Sequence, residues 1–316
     1  MAMAEEKQRT KSDGSKPRFG TVALVGRPNA GKSTLLNRIL GQKVSIVSNK
    51  PQTTRNRIVG ILNDPRGQIA FLDTPGIHKP LHRMNVRMMD HVQSSFGEAD
   101  VVALIIDATE AFGKGDQFVV ELLRGQKEKN PESKRFAILN KIDLLKKNKL
   151  LPVMEHYGAL DLFDEIVPIS AEKGEGITEV LDLLFKTVRT GEPLYPTEDY
   201  TTQPERFFAA EIIREKVLQN TSDELPYTTA VTVERFEEDE LKKIIHIYAT
   251  IYVERESQKA IVIGKHADMV KRIGTEARLE LESILGTRIF LDLRVGVHEG
   301  WREDDRFLGD LDRPLS

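Results

Sequence analysis

The stretch Gly26-Arg27-Pro28-Asn29-Ala30-Gly31-Lys32-Ser33 reads GxxxxGK[ST], the phosphate-binding loop, and its reading decides the fold. Before it, Thr21-Val22-Ala23-Leu24-Val25 is a short apolar, β-branched run, the pattern of a buried strand. After it, Thr34 leads into Leu35, Leu36, Ile39 and Leu40 at helical spacing. Strand, glycine loop and helix are the context the motif needs. They predict an α/β fold with a doubly wound, mostly parallel sheet. The glycines let backbone N–H groups approach phosphate oxygens, and the positive end of the following helix adds to the field. Lys32 then contacts the β and γ phosphates, and the Ser33 hydroxyl binds Mg²⁺.

The 316 residues are enough for about two domains. A composition 40% hydrophobic and 30% charged is that of an ordinary globular protein, and no apolar run is long enough to span a membrane. The absence of cysteine excludes disulfides and thiol catalysis and suits a reducing cytoplasm. With a net charge of −3, any contact with nucleic acid has to rest on a local basic patch. Residues 1–17 are polar and charged, without the apolar centre of a secretory signal, and read as a disordered tail.

Past the first helix, Val44 to Ser48 runs into Asn49-Lys50-Pro51-Gln52-Thr53-Thr54-Arg55, a polar loop with a proline. In this place it is a candidate switch that offers a threonine hydroxyl to Mg²⁺ when a γ-phosphate is present, Thr54 first and Thr53 as the alternative. Asn56 to Leu62 and Gly67 to Leu72 flank Asn63-Asp64-Pro65-Arg66 and read as a hairpin. The second arm ends in Asp73-Thr74-Pro75-Gly76, at the carboxyl end of a strand, where such sheets place their sites. Asp73 can hold Mg²⁺, through water, and the Gly76 N–H can sense the γ-phosphate.

Val101 to Asp107 and Phe136 to Leu139 are further buried parallel-type strands. The latter ends in Asn140-Lys141-Ile142-Asp143, the NKxD pattern that selects guanine. The Asp143 carboxylate accepts from guanine N1–H and the exocyclic amine. Adenine has no matching donors and would leave the carboxylate unpaired. Asn140 braces the base and the loop, and the Lys141 stem covers the ring. Ile166 to Ile169 is a strand followed by Ser170-Ala171-Glu172-Lys173-Gly174, which supplies a backbone N–H to the guanine oxygen. A helix from Gly176 to about Arg189 closes the domain.

Thr190 to Thr197, rich in Pro and Gly, breaks the pattern and reads as a linker. Phe207 to Gln219 has helical spacing. Thr228 to Arg235 and Ile244 to Val253 alternate as paired strands, joined by an acidic, exposed connection from Phe236 to Lys243. Lys259 to Ile263 reads as a strand running into a tight loop, Gly264-Lys265-His266-Ala267, and then a helix. Arg288 to Val297 gives another strand. From Arg206 onward, seventeen Lys and Arg face twenty-two Asp and Glu, a net −5. Yet Lys259, Lys265, Lys271, Arg272 and Arg278 gather around the loop, a local basic face on an acidic body.

The order GRPNAGKS, PQTTR, DTPG, NKID, SAEKG resembles the translation-factor-like class of GTPases. The texts LGQKVSIVSNKPQTTRNRIVGI and FLDTPGIHKP look specifically like the Era family, from Phe19 onward. The second half resembles a type II KH domain, in which a GxxG loop clamps four nucleotides of single-stranded RNA. Here alanine, Ala267, stands at the last glycine. It tolerates a helical φ but adds a methyl where RNA backbone approaches.

The resemblance implies a G domain over 18–189, a linker over 190–205 and a KH domain with a C-terminal extension over 206–316. It implies GTP hydrolysis to GDP, with Lys32, Thr54 and Gly76 catalytic and nucleotide contacts from Gly26 to Thr34. It further implies binding near the 3′ end of 16S ribosomal RNA, a role in 30S assembly, a monomer, and peripheral contact with the inner membrane face. Era-like proteins share a hydrophobic residue where Ras-like proteins carry the water-orienting glutamine, here Ile77. Catalysis then leans on Mg²⁺, Lys32, backbone donors and a K⁺ ion that Asn29 helps to hold; Asn29 reads equally well as a turn residue. Two rival readings are a P-loop ATPase or small-molecule kinase, which NKID opposes, and a non-enzymatic RNA adaptor, which intact Lys32, Ser33 and Asp73 oppose.

Overall fold

In the computed structural model, residues 16–221 and 225–312 are described. The expected tail falls almost wholly outside them, on residues 1–15. The first unit runs β1 (Arg18–Val25), α1 (Lys32–Leu40), β2 (Ile58–Asp64), β3 (Gly67–Asp73), α2 (Arg83–Glu98), β4 (Val101–Asp107), α3 (Lys114–Lys129), β5 (Lys134–Asn140), α4 (Lys147–Gly158), β6 (Glu165–Pro168) and α5 (Ile177–Thr187). The sheet order is β2-β3-β1-β4-β5-β6, with β2 antiparallel and every other pairing parallel.

Strand periodicity sets the two layers. Val22 and Leu24 point to one face, where Leu35, Leu36 and Ile39 of α1 and Val180 and Leu184 of α5 cover them. Ala23 and Val25 point to the other, under Val92 of α2, Val119 and Leu123 of α3 and Tyr157 of α4. Helix α1 stops at Gly41, whose φ of 68° is the left-handed value that favours glycine at a helix end.

The second unit runs α6 (Glu205–Asn220), α7 (Leu225–Thr228), β7 (Ala230–Asp239), β8 (Ile244–Val253), α8 (Glu256–Ile263), α9 (Asp268–Leu285), β9 (Arg288–Val297) and α10 (Asp305–Asp312). β7 pairs antiparallel with β8, and β8 parallel with β9. Ile212, Ile213 and Val217 of α6 meet Ile247, Ile251 and Leu281 in its core.

Two expectations change here. Lys259 to Ile263 is the end of helix α8, not a strand. The Gln258 side chain accepts N–H from Glu254 (3.0 Å) and Arg255 (3.1 Å), which caps the helix start and outweighs the β-branched run Ile261-Val262-Ile263. The acidic connection is also shorter than expected. Phe236 to Asp239 stay paired with β8, which leaves residues 240–243 to turn the chain.

The Pro-rich linker is strapped to the edge strand β2. The Ile61 N–H donates to Tyr200 O (2.9 Å), and the Thr201 hydroxyl to Val59 O (2.7 Å). The side chain of Gln68 accepts from Leu194 and Tyr195 N–H and donates to Tyr195 O. The second unit therefore arrives in a set position. α6 then grips the loop after α1: Glu215, 1% exposed, accepts from Lys43 Nζ at 2.5 Å and from Val47 N–H at 2.8 Å. Ile46 of that loop packs into the second unit's core.

The C-terminal extension forms a second joint. Trp301, fully enclosed, packs with Met84 and Met88 of α2 and Leu308 of α10, and its indole N–H donates to Thr228 O at 2.9 Å. Arg87 of α2 pairs with Asp312 at 2.8 Å. Nothing in the spacing of the extension announced this contact. Trp301→Ala removes a large enclosed side chain, so unfolding in urea followed by circular dichroism should show a loss of about 3–5 kcal/mol. An unchanged midpoint would mean that the cluster does not join the two units.

Candidate functional site

The carboxyl ends of β1, β3 and β5 and the loop after β6 open on one cleft of about 670 Å³. Its lining joins Asn29, Gly31, Lys32, Ser33 and Thr34 with Thr54, Gly76, Asn140, Lys141, Asp143, Ala171 and Glu172. Residues scattered over more than a hundred positions of sequence thus converge, as the parallel sheet requires.

Behind one end of the cleft, beneath Ser33 and Thr54, Asp73 is fully buried at the end of β3 and does not itself line the opening. Its Oδ2 accepts from the hydroxyls of Ser33 (2.6 Å) and Ser45 (2.8 Å). Ser33 Oγ is 2.9 Å from Thr54 Oγ1. Asp73 Oδ1 is buried without a hydrogen-bond partner. Burial pushes this carboxyl above its usual range, and the nearby Lys32 charge opposes the shift. A buried carboxylate with an unused oxygen beside three hydroxyls is the donor set of a hard cation. Among the described residues, no cluster of three His, Cys, Asp or Glu exists to hold a metal by itself. Such a cation would take its remaining ligands from water and phosphate, which is the habit of Mg²⁺.

Thr53 does not share this position. Its hydroxyl donates to Lys50 O at 2.6 Å, inside its own turn. Lys32 is buried, and its ammonium donates to Arg27 O (3.1 Å) and Gly26 O (3.3 Å). Burial brings its pKa down to about 8. Two carbonyls thus occupy the donors that phosphate oxygens would take, and an incoming anion would push this pKa back up. Gly76 passes so close to the phosphate loop that a Cβ would sit 2.7 Å from Pro28, so only glycine fits. Ile77 turns into the core, 2% exposed, while its N–H donates to Gly26 O at 2.9 Å. Its side chain offers nothing to a water in the cleft.

At the other end, Asn140 is 2% exposed and joins two loops. Its Nδ2 donates to Ala30 O and its Oδ1 accepts from Ala171 N–H, both at 2.9 Å. Lys141 has a left-handed φ of 67°, and its ammonium pairs with Asp107 at 2.5 Å. Asp143 is exposed at the cleft rim. Arg38 of α1 supports the far loop by donating to Ala171 O at 3.0 Å. Several residues singled out in sequence do not line the cleft. Arg27 pairs with Glu110 and Asp116, Thr74 donates to Leu24 O, and Ser170 accepts from Lys173 N–H. Ser45, Asn37 and Arg38 escaped the sequence reading. Arg38 and Ser45 act through long-range contacts that no local motif announces, and Asn37 through a short one. Asn37, for example, accepts from Val44 and Ser45 N–H and so shapes the loop that carries Ser45.

In the second unit, Gly264 (φ 73°) opens a turn of three residues, Lys265–Ala267, ahead of α9. A Cβ on Gly264 would lie 2.7 Å from Met269 Cβ. Lys265 and His266 are exposed, as are Lys271 and Arg272 on the first turns of α9. Lys271 Nζ donates to His266 O at 3.3 Å. Lys259, within reach of Glu256 at 3.9 Å, and Arg278, paired with Glu282 at 2.9 Å, are partly neutralised. Ala267 departs from expectation. Its φ is 62°, left-handed rather than helical, a conformation that costs a non-glycine residue about 1–2 kcal/mol.

Comparison with known proteins agrees with this geometry. Residues 21–141 match the family model described as a 50S ribosome-binding GTPase, and residues 224–302 match the KH domain. The chain is 48% identical to the GTPase Era of Syntrophus aciditrophicus over 292 residues, 92% of this chain and 94% of that protein. Among solved structures, Era in complex with MgGDPNP and nucleotides 1506–1542 of 16S ribosomal RNA matches with a TM-score of 0.89. It is 38% identical over 93% of this chain and 98% of its own. An Aquifex aeolicus Era variant bound to GDP·AlF4⁻ matches with a TM-score of 0.88 and 39% identity, over 93% and 98%. With phosphate loop, guanine pattern and KH unit in one chain, and nearly half its residues shared with a full-length relative, this protein belongs to the Era family of GTPases.

Proposed function

We propose that this chain is a GTP-hydrolysing switch that binds 16S ribosomal RNA near its 3′ end and acts in assembly of the 30S subunit. The observation that carries the reading is the solved Era structure that holds MgGDPNP and a 16S fragment together and matches both units of this chain. We divide the chain into a GTPase unit over 18–189, a connection over 190–205 and a KH unit with its extension over 206–316. The protein works as a monomer in the cytoplasm, with peripheral contact to the inner membrane face. Among the described residues, no helix is long and apolar enough to cross a membrane.

In this reading, residues Gly26 to Thr34 wrap the phosphates, and Lys32 exchanges the Gly26 and Arg27 carbonyls for β- and γ-phosphate oxygens. Ser33, Thr54 and Asp73 hold Mg²⁺, which, when bound, offsets charge on the phosphates. The turn Thr74-Pro75 presents the Gly76 N–H to the γ-phosphate. Asp143 accepts from the two guanine donors, Lys141 lies on the ring, and Ser170-Ala171-Glu172 offers backbone N–H to the guanine oxygen. Asn140 keeps these loops in register. Lys259, Gly264, Lys265, His266, Ala267, Lys271 and Arg272 form the RNA clamp, with cations on phosphates and the glycine turn allowing close approach.

Asp143→Asn should lose about 3 kcal/mol of GTP affinity and gain xanthosine triphosphate, whose O2 acceptor suits an amide donor. Equal binding of both nucleotides to variant and native protein would remove Asp143 as base reader.

Without an amide at Ile77, turnover alone should be slow, and K⁺ should raise it above the rate in Na⁺. Asn29 tests the ion. Its Nδ2 donates to Asn49 O at 2.9 Å, so it also supports the switch loop. Asn29→Ala should abolish the K⁺ effect, and equal rates of native protein in the two salts leave it a turn residue only.

Crosslinking to a 16S 3′ fragment with GDPNP, GDP and no nucleotide tests the switch itself, which requires yields that depend on the nucleotide. Lys265→Asp should weaken that binding with GTP affinity intact, and lower the log–log salt slope by roughly one charge. Glu238→Lys, on β7 away from the loop, should matter far less. Native affinity and slope in Lys265→Asp would place the RNA elsewhere.

A further inference from the structure

Two consecutive buried residues of α6 hold the segment that leads to Thr54. Glu215 accepts from the Val47 N–H at 2.8 Å, and Arg214 donates from Nη2 to Thr53 O. The residue after Thr54 is held by the same unit, because Arg55 Nη1 donates to Thr229 O at 2.7 Å. Ile46, at the start of the segment, packs in the second unit's core. From its own unit the stretch takes the Asn29 amide on Asn49 O and, at Thr54, the contact with Ser33. Its own residues add little: Val47 is 37% exposed, and Gln52 has a left-handed φ of 61°.

Arg214 is 3% exposed. Its guanidinium is also clasped by Glu211, one turn back on α6: Nε donates to Oε1 at 2.8 Å and Nη2 to Oε2 at 2.6 Å. Glu211 thereby fixes one edge of the planar fork, so Nη2 meets Thr53 O in a set direction. The atoms from Thr53 Cα to Thr54 Cα share one peptide plane, so holding Thr53 O sets the place of the Thr54 Cα. Thr54 Oγ1 then lies 2.9 Å from Ser33 Oγ, which donates to Asp73 Oδ2 at 2.6 Å. A guanidinium of the second unit is thus one peptide bond away from a hydroxyl of the cation site. The plainer alternative is a buried ion pair that only pins α6. Such a pair adds little net stability and would serve every nucleotide state alike.

We infer that Arg214 is a positioning residue for GTP hydrolysis, a side chain of the second unit that holds Thr54 where it can reach Mg²⁺; this rests on Thr54 as the Mg²⁺ ligand of the proposed function. That hydroxyl is offered to the ion only when a γ-phosphate is present. Arg214 therefore acts on the triphosphate-bound state and leaves the diphosphate-bound state alone. Loss of its Nη2 bond frees Thr53 O and widens the arc open to Thr54, while Glu215 and Arg55 still hold the segment on either side.

The experiment measures binding of N-methylanthraniloyl GDP and GDPNP to full-length protein across a Mg²⁺ titration, alongside GTP turnover. Arg214→Met keeps the volume and removes the donors. At a fixed Mg²⁺ concentration its Kd for GDPNP should rise about tenfold, the loss expected for one charged hydrogen bond. The Mg²⁺ needed for half-saturation should rise with it and kcat should fall, while GDP affinity stays within about twofold of native and so checks folding. Arg214→Lys keeps a charge for Glu211 but lacks the fork that spans both acceptors. It should show the same pattern, which keeps the test decisive if the Met variant does not fold. Thr54→Ala should give the full loss, and Arg214→Met added to it should cost nothing more. Equal losses for GDP and GDPNP reduce Arg214 to the pinning of α6 and overturn the inference. Additive losses in the double variant overturn it as well, because Arg214 then acts elsewhere than through Thr54. Native GDPNP affinity in Thr54→Ala overturns the ligand reading and this inference with it. A loss there beside native affinity in Arg214→Met overturns this inference alone.

Discussion

The buried carboxylate of Asp73 is the constraint on which the rest of the structure depends. A carboxylate in a dry site is costly unless hydrogen bonds and a cation offset it. Asp73 obtains two hydroxyl donors, Ser33 and Ser45, and keeps its other oxygen buried without a hydrogen-bond partner. Ser33 belongs to the phosphate loop, and Ser45 to the segment that continues to Thr54. One side chain at the end of β3 therefore holds together the phosphate loop and the segment that leads to Thr54.

The same segment ties the nucleotide site to the second unit. Two residues after Ser45, the Val47 N–H donates to Glu215 of α6, and Glu215 also takes Lys43. Lys43 and Lys216 share Glu280 of α9. Buried ion pairs of this kind add little net stability, because desolvation consumes most of the Coulomb gain, but breaking one side is costly. Their effect is on geometry. Glu215 and Glu280 thus fix the segment after α1 against α6 and against the C-terminal part of α9, at the opposite end of that helix from the Gly264–Ala267 loop.

The left-handed Ala267 adds a local tension. Gly264, His266 and Ala267 all have positive φ, and only the first has no Cβ. The turn is held by its surroundings, Met269 packed under Gly264 and Lys271 on His266 O, rather than by the preferences of its own residues.

The sequence by itself determined the strands and the site loops of the first unit, though it left helices α2, α3 and α4 unread. GxxxxGKS, DTPG and NKID each pair a strand end with a loop of special backbone geometry, so local text carries both element and chemistry. Periodicity placed the strands of both units within a few residues. Short-range hydrogen bonds outside those patterns decided two points, and tertiary packing decided the rest. Lys259 to Ile263 became helix because Gln258 caps it, against its β-branched composition. Thr54, rather than Thr53, faces Asp73 because Thr53 satisfies its hydroxyl at Lys50 O. The linker became a strap because Gln68 and the edge of β2 had backbone partners to offer. Trp301 joined the units, and Arg214 came to hold Thr53 O, through residues 161 or more positions apart. Contacts at that separation leave no period in the chain; they exist only once the layers have packed.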